Sequence, residues 1–414
     1  MHLNLSFLRL FLFHRCKLAK TKSEKPLSFT PPFGAGSLGK EWRFLCACAS
    51  PAADREQILD CLVSGLQWDA ILELAAEHGV LGIVAARLLA HNYDGVPATV
   101  REGLQTRLRA QHLFTLSMAA ELFRLLEEFE RAGIQALLVK GPLISVLAYG
   151  DPAIRSYVDL DLIVRHRDIL SVTQHMIALG FAAKIPESAI LAGKVPGEYV
   201  FRRPNTQCVI ELHTERTLRY YPRFMPIEDL YARQVRVPID GRDVPVLSLE
   251  DELVSNCIHG AKHFWERLIW IADITAMCAR HPELDWSRAR QAARDAGAER
   301  MLRVGVQLGA SVFGVQPPLE MARELAQDAT TQRLCRQVLR WLPQAGMASP
   351  TLRERALFRI QMAGGGLAGI RYFFRLSLSP TEEDWVEGAE ERRSSLRNAV
   401  RRPLRLLRKY GPRS

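Results

Sequence analysis

Asp159 and Asp161 stand two residues apart inside an otherwise apolar run, Tyr157 to Val164, of the residue types that suit a buried strand. Side chains alternate across a strand, so both carboxylates are predicted on one face, with Leu160 and Leu162 on the other. Two anions on one face repel each other and lose hydration unless a cation sits between them. A divalent ion meets that need, and Mg²⁺ in particular combines one or two carboxylates with substrate phosphates. An isolated Asp-x-Asp is more often an exposed edge with two solvated carboxylates, so the surroundings decide. They include Lys140 and Gly141, Arg155 with Ser156 beside it, and a second apolar segment, Cys208 to Glu215. On that segment Ile210, Leu212 and Thr214 share one face, and Glu211 and His213 the other. A third carboxylate beside the pair is what two-metal phosphoryl transfer needs. It holds the metal that lowers an acceptor hydroxyl's pKa, and it can take that proton. Glu211 is the candidate; Glu215 is a rival placed where the strand ends.

The elements that must position these groups can be read from their periodicity. Gln135 to Val139 is predicted as a strand, and Gly141 stands where it turns into a helix beginning at Pro142, proline being well suited to a first helical position. Glycine at that turn lets the backbone approach a phosphate, and the helix N-terminus favours an anion. Asp168 to Leu179 is predicted as a helix stopped at Gly180. Tyr199 to Arg202 and Cys208 to His213 are predicted as antiparallel strands, and Val235 to Ile239 and Arg242 to Leu247 as a hairpin around Asp240-Gly241. Residues 134–250 are thus expected to form an α+β core. Helical patterning flanks it over 44–133, including a long amphipathic run from Thr99 to Arg131, and over 251–345, with Pro317-Pro318 as a break. His78 and His112 in the first of these regions read as structural or exposed. Residues 1–43 read as a basic, disordered arm and 346–414 as a helical or flexible basic tail, with Gly364 to Gly366 as a joint.

Composition narrows the class. The chain has 414 residues, 48% hydrophobic and 24% charged, ordinary for a globular protein with a sizeable core. Its eight cysteines form no Cys-x-x-Cys pair and no zinc-ligand spacing, which points to reduced thiols in a cytoplasmic protein. The net charge of +10 is unevenly placed: residues 1–43 carry +6 and residues 392–414 carry +9, leaving residues 44–391 at −5. A protein that tracks a long nucleic acid needs a basic stripe on its body, so no long nucleic acid is expected as a partner. The basic tail, with Leu396, Val400, Leu404 and Leu407 along one stripe, suits an anionic membrane surface, placing the protein in the cytoplasm or at the inner face of the membrane; a solvated tail fits equally.

One further polar cluster lies at Ile258 to Ile274, where His259, Lys262 and His263 fall on one helical face. The segment lacks the Glu of a zinc-protease His-Glu-x-x-His and contains no His-Asp doublet, which excludes zinc-protease and HD-type phosphohydrolase chemistry. A packed helix with partly buried histidines remains the plain alternative.

The order strand, Lys140-Gly141, helix, Arg155, Asp159-x-Asp161, then Glu211-Leu212-His213 resembles the nucleotidyltransferase superfamily that includes DNA polymerase β and the aminoglycoside nucleotidyltransferases. More narrowly it is similar to a bacterial family of uncharacterised nucleotidyltransferases. The likeness extends from Trp68 to Val80 through the His259-x-x-Lys262-His263 segment to Trp270–Asp273 and Asp285-Trp286, covering about residues 44–345. The resemblance implies a small mixed-sheet, polymerase β-like core, with the C-terminal helices closing a nucleotide cleft. It implies transfer of a nucleoside monophosphate from an NTP to a hydroxyl of an unidentified small-molecule, sugar or protein acceptor, with release of pyrophosphate. Asp159, Asp161 and Glu211 would be the catalytic residues and hold two Mg²⁺ ions, with Mn²⁺ as a substitute. Lys140, Gly141, Arg155, Ser156, His259 and Lys262 would hold the nucleotide and its phosphates. Two departures stand out: Glu211 replaces the usual Asp, and Pro142 follows Gly141 where many relatives have Ser or Gly. Two other readings stay open, a nucleotide-binding scaffold without catalysis and a membrane-peripheral component of a biosynthetic assembly.

Overall fold

A computed structural model of the chain describes residues 39–62, 65–191, 197–204, 206–214, 221–223, 226–342 and 350–378. The expected disordered arm and basic tail, most of 1–43 and 379–414, lie outside them, as does Glu215. Within the described residues the apolar runs of the central third pair into one mixed sheet of order β3-β4-β5-β2-β1-β7-β6. Its strands are β1 (Ala136–Val139), β2 (Leu160–Val164), β3 (Ala182–Ala183), β4 (Glu198–Arg202), β5 (Val209–His213), β6 (Val235–Ile239) and β7 (Arg242–Val246). The two middle strands, β1 and β2, are buried at every position, which explains their continuous apolar character; Asp161 is the one acid among them. Strand β5 alternates half-buried and buried residues, its Ile210 and Leu212 facing the core. Strands β2 and β5 run parallel with Asp161 opposite Glu211 and Ile163 opposite His213, so the two-residue period of each strand delivers its acid to the same face.

Before the sheet come α1 (Gly39–Ala49), α2 (Arg55–Asp60), α3 (Trp68–Glu77), α4 (Leu81–Ala90) and α5 (Ala98–Arg131). Helix α5 spans 34 residues, about 50 Å at 1.5 Å per residue, and buries Leu104, Leu108, Met118, Leu122, Leu125 and Phe129 along one side. Helix α6 (Gly141–Tyr149) follows β1, α7 (Ile169–Ala178) follows β2, and α8 (Glu187–Leu191) and α9 (Ile227–Ala232) lie on the way to the hairpin. Beyond the sheet stand α10 (Leu249–Lys262), α11 (Leu268–Arg280), α12 (Trp286–Ala296), α13 (Glu299–Phe313), α14 (Leu319–Gln327), α15 (Ala329–Trp341), α16 (Leu352–Met362) and α17 (Gly366–Leu378). One apolar core runs through all three regions, from Trp42 and Phe44 through Leu137 and Leu162 to Trp265 and Phe358.

His78 belongs to that architecture. It is fully buried; its Nδ1 accepts from Leu268 N at 3.1 Å and its carbonyl accepts from Ile269 N at 3.1 Å. Two of the donors that every helix N-terminus leaves unpaired are thereby satisfied, and α11 is fixed against the N-terminal helices. Burial, together with nearby Arg267, pushes its pKa down to about 4, so it stays a neutral acceptor.

Two expectations need correcting, at the strand carrying Asp159 and at Gly364 to Gly366. The apolar run carrying Asp159 does not pair along its whole length: β2 begins at Leu160, and Val158 is exposed. Residues 151–159 are held instead as a turn, in which Ser145 Oγ donates to Asp151 O at 2.6 Å and accepts from Arg155 N at 3.0 Å, while Asp151 Oδ1 accepts from Ala153 N. The expected hairpin β6–β7 forms around Asp240-Gly241, and it joins the main sheet through β7, which lies parallel to β1 with Val246 opposite Leu138. Gly364 to Gly366, all at positive φ, form the tight reversal between α16 and α17, where Gly369 brings the two helix backbones together; a Cβ there would meet Ile360 O at 2.2 Å.

Candidate active site

Asp161 is the centre of the polar cluster. Its side chain is 5% exposed, and its Oδ1 accepts from Lys140 Nζ at 2.7 Å and from His213 Nε2 at 2.6 Å. Burial alone would raise its pKa, but the Lys140 ammonium and the His213 hydrogen bond outweigh burial and hold the carboxyl well below its ordinary value. Lys140 and His213 respond in kind: burial disfavours their charged forms, yet Asp161 raises the pKa of both, with Glu211 adding to the effect. Glu211, one strand over, is placed differently. No hydrogen-bond donor among the described residues reaches its carboxylate, and His213 Nε2 stands 3.6 Å away. Burial pushes its pKa up to about 8, with His213 opposing and Asp161 and Glu198 assisting. Asp161, Glu211 and His213 each offer one ligand atom within 4.8 Å of the other two.

Asp159 lies one residue ahead of β2 and outside that trio. It is half-buried, and its pKa is raised first by burial and then by the charge of Asp161, against Lys140, Arg155 and His213. The strand period predicted its side but not its place, because the turn that carries it is fixed from elsewhere. Arg155, the anchor of that turn, donates through Nε to Asp273 Oδ2 at 2.8 Å, and Tyr149 OH donates to Asp273 Oδ1 at 2.8 Å. Arg155 and Asp273 are 11% and 3% exposed, a buried ion pair spanning 118 residues of chain. Ser156 donates to Gln111 Oε1 at 2.7 Å, and Gln111 in turn reaches the carbonyls of Ala153 and Ile154.

Lys140 and Gly141 form the turn between β1 and α6. Lys140 has φ +53 and ψ −149, a conformation that side-chain-bearing residues rarely hold, at a cost of about 1–3 kcal/mol. Gly141 has φ +41, and a Cβ on it would stand 3.5 Å from the Asp159 carbonyl oxygen, so this turn lies directly against the Asp-x-Asp backbone. The strained peptide is held by Glu252 of α10, whose Oε1 accepts from Lys140 N at 3.1 Å. Glu252 is fully buried, and burial pushes its pKa up to about 7 despite that bond.

His259 and Lys262 end α10 on the side facing the cluster. Lys262 Nζ lies 4.0 Å from Glu198 Oε1, and Glu198 pairs with His213 across β4 and β5. Burial drives His259 well below its usual pKa, with Lys140, His263 and Lys262 adding to it; its ring sits 4.7 Å from His263 and 5.6 Å from Trp270. Lys140, Asp161 and Glu211 thus stand in one cluster with His259 and Lys262 beside it, while Glu215 lies outside the described residues. His213 was placed on the Glu211 face by the strand period but given no role, and two partners went unmarked. Glu252 reads as an ordinary first-turn helix acid, and Glu198 as the start of a strand; only the packing shows their company.

The Asp161–Glu211–His213 set could hold a divalent ion. Its donor chemistry fits one: a half-buried carboxylate without a hydrogen-bond donor, driven toward protonation by burial and then by a neighbouring carboxylate, is relieved by a cation.

No curated protein matches the chain. Among solved structures, an antigenic nucleotidyltransferase-like protein from Paracoccidioides brasiliensis is similar over 48% of this chain and 91% of that one, at 17% identity and a TM-score of 0.29. A family described as uncharacterised nucleotidyltransferase matches residues 64–314. That match runs over more than half of the chain and takes in the strained Lys140 turn, both acidic strands and the end of α10, and it shows that the chain belongs to this family of nucleotidyltransferases.

Proposed function

We propose that the chain transfers a nucleoside monophosphate from an NTP to the hydroxyl of a non-nucleic-acid acceptor, with release of pyrophosphate, in a divalent-metal-dependent reaction. The observation that carries this reading is the register of β2 on β5, which sets Asp161 beside Glu211 at the mouth of a glycine turn. Asp161 and Glu211 would hold the ion, with Asp159 flanking them; Mg²⁺ suits the carboxylates, and His213 in the set makes Mn²⁺ a natural substitute. Once bound, such an ion polarises the phosphoryl oxygens and acidifies the acceptor hydroxyl.

The acceptor oxygen forms a bond to the α-phosphorus as the bond from that phosphorus to the bridging oxygen breaks, and pyrophosphate leaves with the electron pair. Glu211, its carboxylate favoured by that ion, is the group we assign to receive the hydroxyl proton. Lys140 and Lys262 supply positive charge for the departing phosphates, while Gly141 lets the backbone approach them at the α6 N-terminus. Arg155, fixed by Asp273, sets the turn that presents Ser156 and Asp159. His259, its charge disfavoured by burial and by Lys140, stands on the same side.

The test is calorimetric titration with Mg-NTP and Mn-NTP, followed by a pyrophosphate-release assay over hydroxyl acceptors, on wild type and Asp161→Asn. Release in the wild type and its loss in the variant are expected. Nucleotide binding without release on any acceptor would favour a scaffold, and undiminished release from Asp161→Asn would remove the proposed metal site.

A further inference from the structure

Helix α17 packs inward through Gly369, Tyr372 and Leu376, yet its other side is not polar. Leu367, Ile370, Phe374 and Leu378 are 80%, 40%, 56% and 45% exposed. At 3.6 residues per turn these four fall within an arc of about 80°, opposite the buried side. An isolated exposed leucine needs no explanation, but an aligned stripe on an outer helix marks a contact surface. The helix is firmly set, so the stripe is not the edge of a loose end. Gly369 lies against the α16 backbone, Arg375 donates to Tyr221 O, and α16 is anchored by Phe358 packed on Phe264 and Trp341.

We propose that this stripe is the docking face for an anionic lipid bilayer, on which α17 lies in the plane of the head groups. Charge selects this occupant over a second copy of the chain. Arg371 is exposed at the edge of the stripe and Arg353 is exposed on α16, while Arg355, Arg359 and Arg375 bond inward to backbone carbonyls. Beyond the helix an acidic stretch, 382–391, is followed by 392–414, which has nine Lys/Arg and no acid. Two copies meeting through α17 would bring like charges together at the helix and at the tail. A surface of acidic phospholipids complements both, while Leu367, Phe374 and Leu378 enter the acyl boundary as the apolar side of an interfacial helix does. The proposal does not depend on the transferase reading.

Sedimentation of the full-length protein with phosphatidylcholine vesicles, and with phosphatidylcholine–phosphatidylglycerol vesicles, tests it. The double variant Leu367→Gln/Phe374→Gln is run alongside, and light scattering is measured on both proteins without lipid. Expected are binding to the anionic vesicles only, weakening with salt, and a loss of about tenfold or more in the variant, whose melting temperature stays that of wild type because both sites are exposed. Three results would overturn the proposal. They are no partition onto either vesicle, equal partition by wild type and variant (the tail acting alone), or a wild-type dimer that the variant abolishes.

Discussion

Glu252→Gln offers a measurement of how much the site strains the fold. Glu252 is fully buried, 112 residues along the chain from Lys140, and its Oε1 accepts from Lys140 N at 3.1 Å and from Asn256 Nδ2 at 3.3 Å. Its Oε2 has no hydrogen-bond partner among the described residues. Burial lifts the carboxyl from an ordinary 4.5 to about 7. The folded state therefore keeps its proton through a range of pH in which the unfolded chain has released it. Below about 4.5 both states are protonated and the residue costs nothing; between 4.5 and 7 stability falls as pH rises; above 7 the full cost is present. A shift of this size corresponds to about 3 kcal/mol, of which roughly 2–3 kcal/mol is gained or lost between pH 5 and 8. Glutamine keeps the Oε1 acceptor and the volume but never ionises. Urea unfolding of both proteins at pH 5 and pH 8, followed by tryptophan fluorescence, gives the difference in stability at each pH. The variant is expected to gain on the wild type by that amount on going to pH 8. A difference that is the same at both pH values, or that shifts toward the wild type at high pH, would refute the reasoning.

The Arg155–Asp273 pair is expected to behave as one unit. Arg155→Ala or Asp273→Ala alone leaves an uncompensated buried charge and costs about 3–5 kcal/mol, whereas the double variant costs much less than the sum; a double-mutant cycle by chemical unfolding reads the coupling. His78→Ala removes the acceptor for Leu268 N and is expected to cost about 1–3 kcal/mol, seen as a lower unfolding midpoint.

What the sequence made legible followed from local periodicity. Asp161 and Glu211 share a face because each occupies an odd position in a strand whose even positions are aliphatic, and that pattern needs no knowledge of the partner strand. The α5 boundaries, between Pro97 and Gly133, were equally local. Asp159 shows the limit. It continues the same alternation, yet the chain leaves the ladder at Leu160 because Arg155, Ser145 and Gln111 bind the preceding turn to α11, α6 and α5. Long-range bonds of that kind leave no periodic trace. Glu252 was hidden for a related reason. An acid in the first turn of a helix is explained locally by the helix dipole, so nothing in its neighbourhood announces that α10 is buried there.

The same long-range bonds bear on how the site can work. Two turns of the sheet present the cluster, one at Lys140 and one at Arg155, and each is held by a carboxylate from the C-terminal helices, Glu252 on α10 and Asp273 on α11. Helix α11 is fixed in turn by His78 from the N-terminal side. Swinging the C-terminal helices away from the sheet would separate the Arg155–Asp273 pair and take from the Lys140 N–H its Glu252 acceptor. Lys140 is clamped at both its backbone and its ammonium, and Asp161 favours its charged form against burial. It is thus a fixed cation that sets the acidic cluster from a turn that the C-terminal helices themselves hold in place.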